Sequence, residues 1–274
     1  MFKSVNVFQM VVLVLILVGV VMIFMRQNKT CVMKQNKVKE GFNGNFNFRR
    51  YPNTNLYANV LDTYMHKMDT REALLYCNQN KIIGSYVECG VGGGTHPIIA
   101  CDTILKNNLD ITDIYMFDTY EGLTKPGKYD YTTNNPVFHM NNQEVIEYWK
   151  QTQTGHNSSK WCYCSLEEVK KNVYRTNYPK NKLHFIKGDV METLKEKQNI
   201  PDKISVLRLD TDWYESSKFE LEILYNNVVD RGVVILDDYF HWDGQRRATD
   251  EFFQENNIKK TIYKNNTKTG FFIK

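Results

Sequence analysis

The chain has 274 residues, 42% hydrophobic and 24% charged, with 15 Gly and 6 Pro, a composition that excludes collagen, extended coiled coil and wholesale disorder. The length suits one sizeable domain with an appendage. Of the formal charge of +4, Lys3, Arg26, Lys29, Lys34, Lys37 and Lys39 face only Glu40 at the N-terminus, leaving 29 basic and 30 acidic groups over residues 41–274, so the totals offer no basic face for nucleic acid.

In chain order, six residues precede an uncharged apolar run from Val7 to Met25, broken only by Gln9. At about 1.5 Å rise per residue such a helix spans roughly 28 Å, enough to cross a bilayer once. It ends Ile23-Phe24-Met25-Arg26 rather than in small residues, which favours an uncleaved anchor over a signal peptide. The excess of Lys and Arg after Met25 predicts a single-pass protein with its body in the cytoplasm; a lumenal, type II arrangement in the Golgi or endoplasmic reticulum is the alternative. Sequons at Asn28, Asn157 and Asn265 are about as many as chance supplies and do not decide topology. Residues 26–55, rich in Lys, Asn and Gly, read as a polar tether.

From residue 56 to 274 short apolar runs alternate with amphipathic stretches. Strands are expected at Ser85–Glu88, Ile114–Phe117, Leu183–Ile186, Ile204–Leu209 and Val233–Leu236. Helices are expected at Leu56–Cys77, Pro97–Lys106, Leu166–Tyr174 and Ser216–Asn227. This alternation implies right-handed crossovers and a parallel sheet covered on both faces, with ligands beyond the carboxyl ends of the strands. Thr261–Tyr263 and Gly270–Ile273 form a closing pair with an antiparallel member. The polar, aromatic stretch 123–165, containing Tyr131, Trp149 and Trp161 and a helix at Asn142–Gln151, reads as a lid or acceptor-binding insertion, or as a solvated excursion. Cys89 and Cys101 read as buried small hydrophobes, and Cys162 and Cys164 near His156 are too sparse for a zinc site.

Chemistry-bearing residues gather where the strands end. Glu88-Cys89-Gly90-Val91-Gly92-Gly93-Gly94 places alternate glycines between a strand and a helix, as in dinucleotide sites. Glu88 tilts the reading toward a cationic ligand such as S-adenosylmethionine, because a carboxylate there would repel a pyrophosphate. Asp118 could accept from two ribose hydroxyls. Asp189 could accept from an adenine amino group or cap a turn. Leu209-Asp210-Thr211-Asp212 and Leu236-Asp237-Asp238 end two neighbouring strands about 4.7–4.9 Å apart. Asp210, Asp237 and Asp238 would therefore converge and require a hard cation, Mg²⁺ or Mn²⁺.

The blocks Gly84–Val91, Asp118–Leu123, Ser165–Val169, Leu207–Ser216 and Asp237-Asp238-Tyr239 occur in the order found in the macrocin O-methyltransferase family, which the chain resembles over about residues 60–274. The resemblance implies a Rossmann-like class I methyltransferase fold: a mostly parallel seven-stranded sheet with an antiparallel strand near the C-terminus. It also implies a Mg²⁺-dependent transfer from S-adenosylmethionine to a sugar or glycoconjugate hydroxyl. It matches Asp210, Asp237 and Asp238 to metal ligands, Asp212 to the general base, and Glu88, Gly90 and Asp118 to the cofactor pocket, with Gly92, Gly94 and Asp189 added from the loop and strand-end reading. Trp149, Trp161 or Tyr131 could stack on a sugar face. Departures are the anchor, Gly92-Gly93 where the family carries a bulky or basic residue, and the 123–165 insertion. Rival readings are a catechol or phenol O-methyltransferase, an inactive membrane-tethered binding module, and a nicotinamide or nucleotide-sugar oxidoreductase. Self-association into a homo-oligomer is left open.

Overall fold

The computed structural model describes residues 68–110, 112–133, 139–265 and 268–274. The expected anchor at 7–25, the tether at 26–55 and the first part of the helix expected over 56–77 lie outside the described residues. Among the described residues no helix is long and apolar enough to cross a membrane.

The described chain opens with α1 (Thr70–Gln79), capped by Asp69, whose carboxylate accepts from the amides of Arg71 and Glu72. There follow β1 (Ser85–Cys89), α2 (Thr95–Lys106) and β2 (Ile114–Asp118). The insertion holds α3 (Asn142–Thr152) and a small antiparallel hairpin, β3 (Gln153–Gly155) and β4 (Ser158–Ser159). Next come α4 (Leu166–Tyr174), β5 (Leu183–Lys187), the single turn α5 (Val190–Thr193), β6 (Ile204–Leu209) and α6 (Tyr214–Leu224). The last elements are β7 (Val228–Leu236), α7 (Asp243–Glu255), β8 (Tyr263–Lys264) and β9 (Gly270–Ile273).

Seven strands form one sheet in the order β5-β2-β1-β6-β7-β9-β8. The first five are mutually parallel, and β9 runs antiparallel to both of its neighbours. The mostly parallel seven-stranded sheet with a late antiparallel strand is thus present. Strand alternation splits the core into two layers. Tyr86, Met116, Val206, Ile235 and Phe271 pack with Ala73, Ala100, Ile104 and Val169 on one face. Val87, Phe117, Leu207, Leu236 and Phe272 pack with Leu194, Leu221, Leu224 and Phe252 on the other. Cys89 and Cys101 are buried in these layers, as their apolar surroundings suggested.

The sheet places β2 and β5 on one side of β1, and β6 and β7 on the other. The crevice beyond the carboxyl ends of β1 and β6 is therefore the topological switch point, where open α/β sheets bind ligands. Several elements differ from the sequence expectation: the helix expected over Leu56–Cys77 does not run through residues 68 and 69, because α1 begins at Thr70 with Asp69 as its cap, and α6 is Tyr214–Leu224 rather than Ser216–Asn227. β7 begins at Val228 rather than Val233, β8 is Tyr263–Lys264, and α7 has no counterpart in the apolar pattern. The buried stripe of α7 includes Gln245 and Thr249 beside Ala248, Phe252 and Phe253, so two polar residues interrupt the signal a hydrophobic period would give.

Candidate active site

On the β1 side, the loop after Cys89 turns through Gly90, Gly92 and Gly94, all with positive φ. Two of these glycines do different work. A Cβ on Gly90 would overlap the backbone carbonyl of Asp210, so this glycine lets the ends of β1 and β6 meet. A Cβ on Gly92 would have nothing within 4 Å, so the backbone there faces open space among the described residues. Gly94 is the N-cap of α2 and packs toward Val169 and Val173 of α4.

Asp118, at the end of β2, holds this loop. Its Oδ2 accepts from the amides of Val91 at 2.7 Å and Gly92 at 3.0 Å, and its Oδ1 from the amide of Tyr120 at 2.6 Å. Burial pushes its carboxyl up while the three amides oppose that shift. In this structure Asp118 thus braces the glycine loop from the end of β2. Asp189 is the N-cap of α5, accepting from the amide of Met191 at 3.0 Å, and its other oxygen accepts from Asn157 Nδ2 at 3.1 Å. The capping alternative is the role the structure displays.

Glu88 lies at the floor of the crevice and is 1% exposed. Its Oε2 accepts from the Tyr86 hydroxyl at 2.7 Å, the Arg208 guanidinium stands 3.6 Å from its Oε1, and among the described residues Oε1 has no hydrogen-bond partner. Burial pushes Glu88 up to about 8, opposed by Arg208 and Tyr86. An orphaned buried acceptor beside an open glycine loop suits the cationic amino or sulfonium end of S-adenosylmethionine.

On the β6 and β7 side, carboxyl oxygens of Asp210, Asp212 and Asp238 lie within 4.8 Å of one another. Strand β6 ends at Leu209, so Asp210 and Asp212 belong to a loop. Asp212 joins the group through a left-handed backbone, φ 70°. It is hydrogen-bonded to Asp238; burial first, then the charge of Asp238, pushes its carboxyl well up. Asp210 is likewise pushed up by burial and by Asp237, against the pull of Arg208. A set of hard oxygen donors this close fits a hard divalent ion. A second grouping joins His96 to Asp210 and Asp237; burial, then Arg208, lowers His96 to about 3, so its ring is neutral. Among the described residues neither grouping contains a cysteine.

A family described as macrocin-O-methyltransferase (TylF) matches residues 57–274. The chain belongs to the macrocin-O-methyltransferase family. It is 26% identical over 174 residues to the demethyldecarbamoylnovobiocin O-methyltransferase of Streptomyces niveus. That match covers 63% of this chain and 59% of the relative, so the chain spans about three-fifths of the length of that curated protein. The O-methyltransferase NovP superposes with a TM-score of 0.62 at 22% identity, covering 75% of this chain and 77% of NovP. The calicheamicin methyltransferase CalS11 gives 0.51 at 15% identity, covering 91% and 90%. These likenesses agree with the sheet order in establishing an α/β methyltransferase fold.

The expected metal trio is divided between the two groupings, with Asp210 in both, Asp237 in one and Asp238 in the other. Asp237 sits next to Asp238 in the chain and is paired with Arg208 and Lys268. It accepts from Arg208 and Lys268, and from Thr269 Oγ1 at 3.3 Å. Burial favours its protonated form, but Arg208 and Lys268 outweigh burial and hold it well below the usual carboxylate range. Oxygens of Asp212 and Asp238 cluster with Asp210 in one grouping, and Asp237 clusters with Asp210 and His96 in the other.

Several site residues were missed in the sequence. Arg208 is 2% exposed and pairs with Glu88, Asp210 and Asp237. Its signal was present: a lone cation inside the buried strand Ile204–Leu209 must find anionic partners. Gln245 of α7 accepts from the amide of Asp238 at 2.7 Å and donates to the Leu209 carbonyl at 3.3 Å, tying together the ends of β7 and β6. Buried Glu220 accepts from Thr211 Oγ1 at 2.9 Å and steadies the Asp210–Asp212 loop from α6.

The described part of the insertion packs against the loop after β6. Trp149 is 2% exposed and donates from Nε1 to the Leu123 carbonyl at 2.9 Å, so its ring is spent on packing and it cannot stack on a sugar. Trp213, one residue after Asp212, donates to the Thr124 carbonyl at 2.9 Å. Buried Asp130 accepts from the amides of Gly127 at 2.6 Å and Tyr214 at 2.8 Å. Val145, Trp213 and Trp242, with Trp161 against them edge to face, form a separate apolar cluster beside the carboxylates.

Proposed function

We propose that this chain transfers a methyl group from S-adenosylmethionine to a hydroxyl of a sugar or glycoconjugate, with a divalent ion in the carboxylate cluster. The convergence of Asp210, Asp212 and Asp238 beside a glycine loop, in a macrocin-O-methyltransferase family member, carries the reading. The demethyldecarbamoylnovobiocin O-methyltransferase relative supports a sugar-type acceptor.

In this reading the acceptor oxygen attacks the methyl carbon, the carbon–sulfur bond breaks, and S-adenosylhomocysteine leaves. Glu88 faces the cationic end of the donor, and the open backbone at Gly92 lets the donor approach closely. Asp118 keeps that loop in shape. Asp210 and Asp238 would hold Mg²⁺ or Mn²⁺, which when bound supplies Lewis-acid stabilisation of the developing alkoxide. Asp212 accepts the hydroxyl proton as general base. The Trp213–Trp242 cluster walls the acceptor side from water.

The test is methyl transfer from labelled S-adenosylmethionine to glycoside and catechol acceptors in parallel. Label on the glycoside supports the proposal; label only on the catechol moves the enzyme to the phenol class. The proposal extends to an anchor at 7–25 with the domain in the cytoplasm. Protease protection in sealed vesicles, or glycosylation at Asn157, would place the domain in the lumen instead.

A further inference from the structure

Two protein cations enter the carboxylate cluster, and they are held differently. Arg208 is 2% exposed and fixed among Glu88, Asp210 and Asp237. Lys268, in the connection between β8 and β9, pairs with Asp237 and stands 3.4 Å from Asp238 Oδ1. Its side chain is 47% exposed, whereas those of Asp237 and Asp238 are 8% and 4% exposed. The lysine therefore reaches in from the solvent side. Its backbone is tied down, because the Phe240 amide donates to the Lys268 carbonyl at 2.8 Å. A flexible stem on an anchored backbone lets the ammonium move without unfolding the strand end.

Asp238 is shared. It belongs to the oxygen trio with Asp210 and Asp212, and it is also a partner of Lys268. An ammonium and a divalent ion drawing on one carboxylate compete for its charge and repel each other. We propose that Lys268 sets the metal affinity of this site: it is a displaceable counter-ion that neutralises the Asp237–Asp238 pair in the ion-free protein and withdraws from Asp238 when the ion binds. Arg208 has no such freedom and stays as the permanent partner of Asp237. The inference rests on the metal-binding reading above.

The experiment uses the full chain and Mn²⁺ as the probe, with binding read by calorimetry and by the electron paramagnetic resonance signal of free Mn²⁺. Lys268→Met should bind Mn²⁺ about tenfold more tightly than the natural chain, since an adjacent positive charge is gone. Lys268→Arg, which keeps the charge, should stay near the natural affinity. Asp210→Asn should lose most of the binding and so locate the ion. In the natural chain, saturating Mn²⁺ should raise the rate at which an amine-acylating reagent labels Lys268, read by mass spectrometry; this arm needs no variant to fold. Unchanged or weaker binding in a folded Lys268→Met, with no change in labelling, overturns the inference and makes Lys268 a structural pin. Absence of Mn²⁺ binding by both the natural chain and Lys268→Met overturns the metal reading itself, and the inference with it.

Discussion

On the β1–β2–β5 side of the switch point, Asp118 and Asp189 accept from backbone amides that belong to the fold. On the β6–β7 side, Asp210, Asp212 and Asp238 crowd one another within 4.8 Å, and the cations nearby are drawn largely to Asp237. The first half is shaped before any ligand arrives. The second is left with negative charge that a proton, a lysine or a metal ion must offset. Donor binding and metal binding should therefore be separable, and the following changes break or sharpen that division.

The largest effect is expected from Asp212→Asn, which keeps size and removes basicity. Turnover should fall by about 10²–10⁴-fold, the usual worth of a general base, while calorimetry finds S-adenosylmethionine bound as before. Loss of donor binding in that variant would join the two halves into one unit.

On the other side, Glu88→Gln should weaken donor affinity by roughly 10–100-fold, the worth of a hydrogen bond to a charged group. Mn²⁺ affinity should hold. An unchanged donor affinity would move the cationic end of the ligand away from β1.

A pH experiment probes the brace beneath the carboxylate loop. Burial pushes Glu220 up to about 8, opposed by the Thr211 hydroxyl. Between the ordinary glutamate range and pH 8 the folded chain holds a proton that the unfolded chain has released, so stability falls as pH rises through that window. Glu220→Gln cannot ionise and can still bond Thr211. Its stability should lose up to about 1.4 kcal/mol per pH unit less than that of the natural chain across this window, read from denaturant midpoints. Identical slopes would remove Glu220 from the titrating groups.

The smallest effect is expected at Asp189. Because it caps a single turn, Asp189→Ala should cost about 1 kcal/mol of stability and change donor affinity little. A large loss of donor affinity would restore the adenine-binding role.

How much of this was legible in the sequence follows from what each residue depends on. Strands β6 and β9 match their expected bounds, because short runs dominated by apolar residues specify buried strands. The clustering of aspartates at the ends of β6 and β7 was legible too, since strand order alone brings those ends together. Which oxygens face one another was not. That depends on the left-handed turn at Asp212, which leaves no pattern in composition. Helix α7 was hidden because Gln245 and Thr249 occupy core-facing positions. Gln245 holds that position to bond Asp238 and Leu209. Lys268 reaches Asp237 from 31 residues further along the chain, a pairing that only the closing strand creates.

The division between the halves meets its most direct test when donor binding and methyl transfer are followed together, with Mg²⁺ and with EDTA, in the same preparation. The account predicts that S-adenosylmethionine binds with equal affinity in both, while transfer to a glycoside hydroxyl occurs with Mg²⁺ and disappears with EDTA. Full transfer in EDTA would contradict it, and would leave Arg208 and Lys268 as the only cations serving the carboxylates among the described residues.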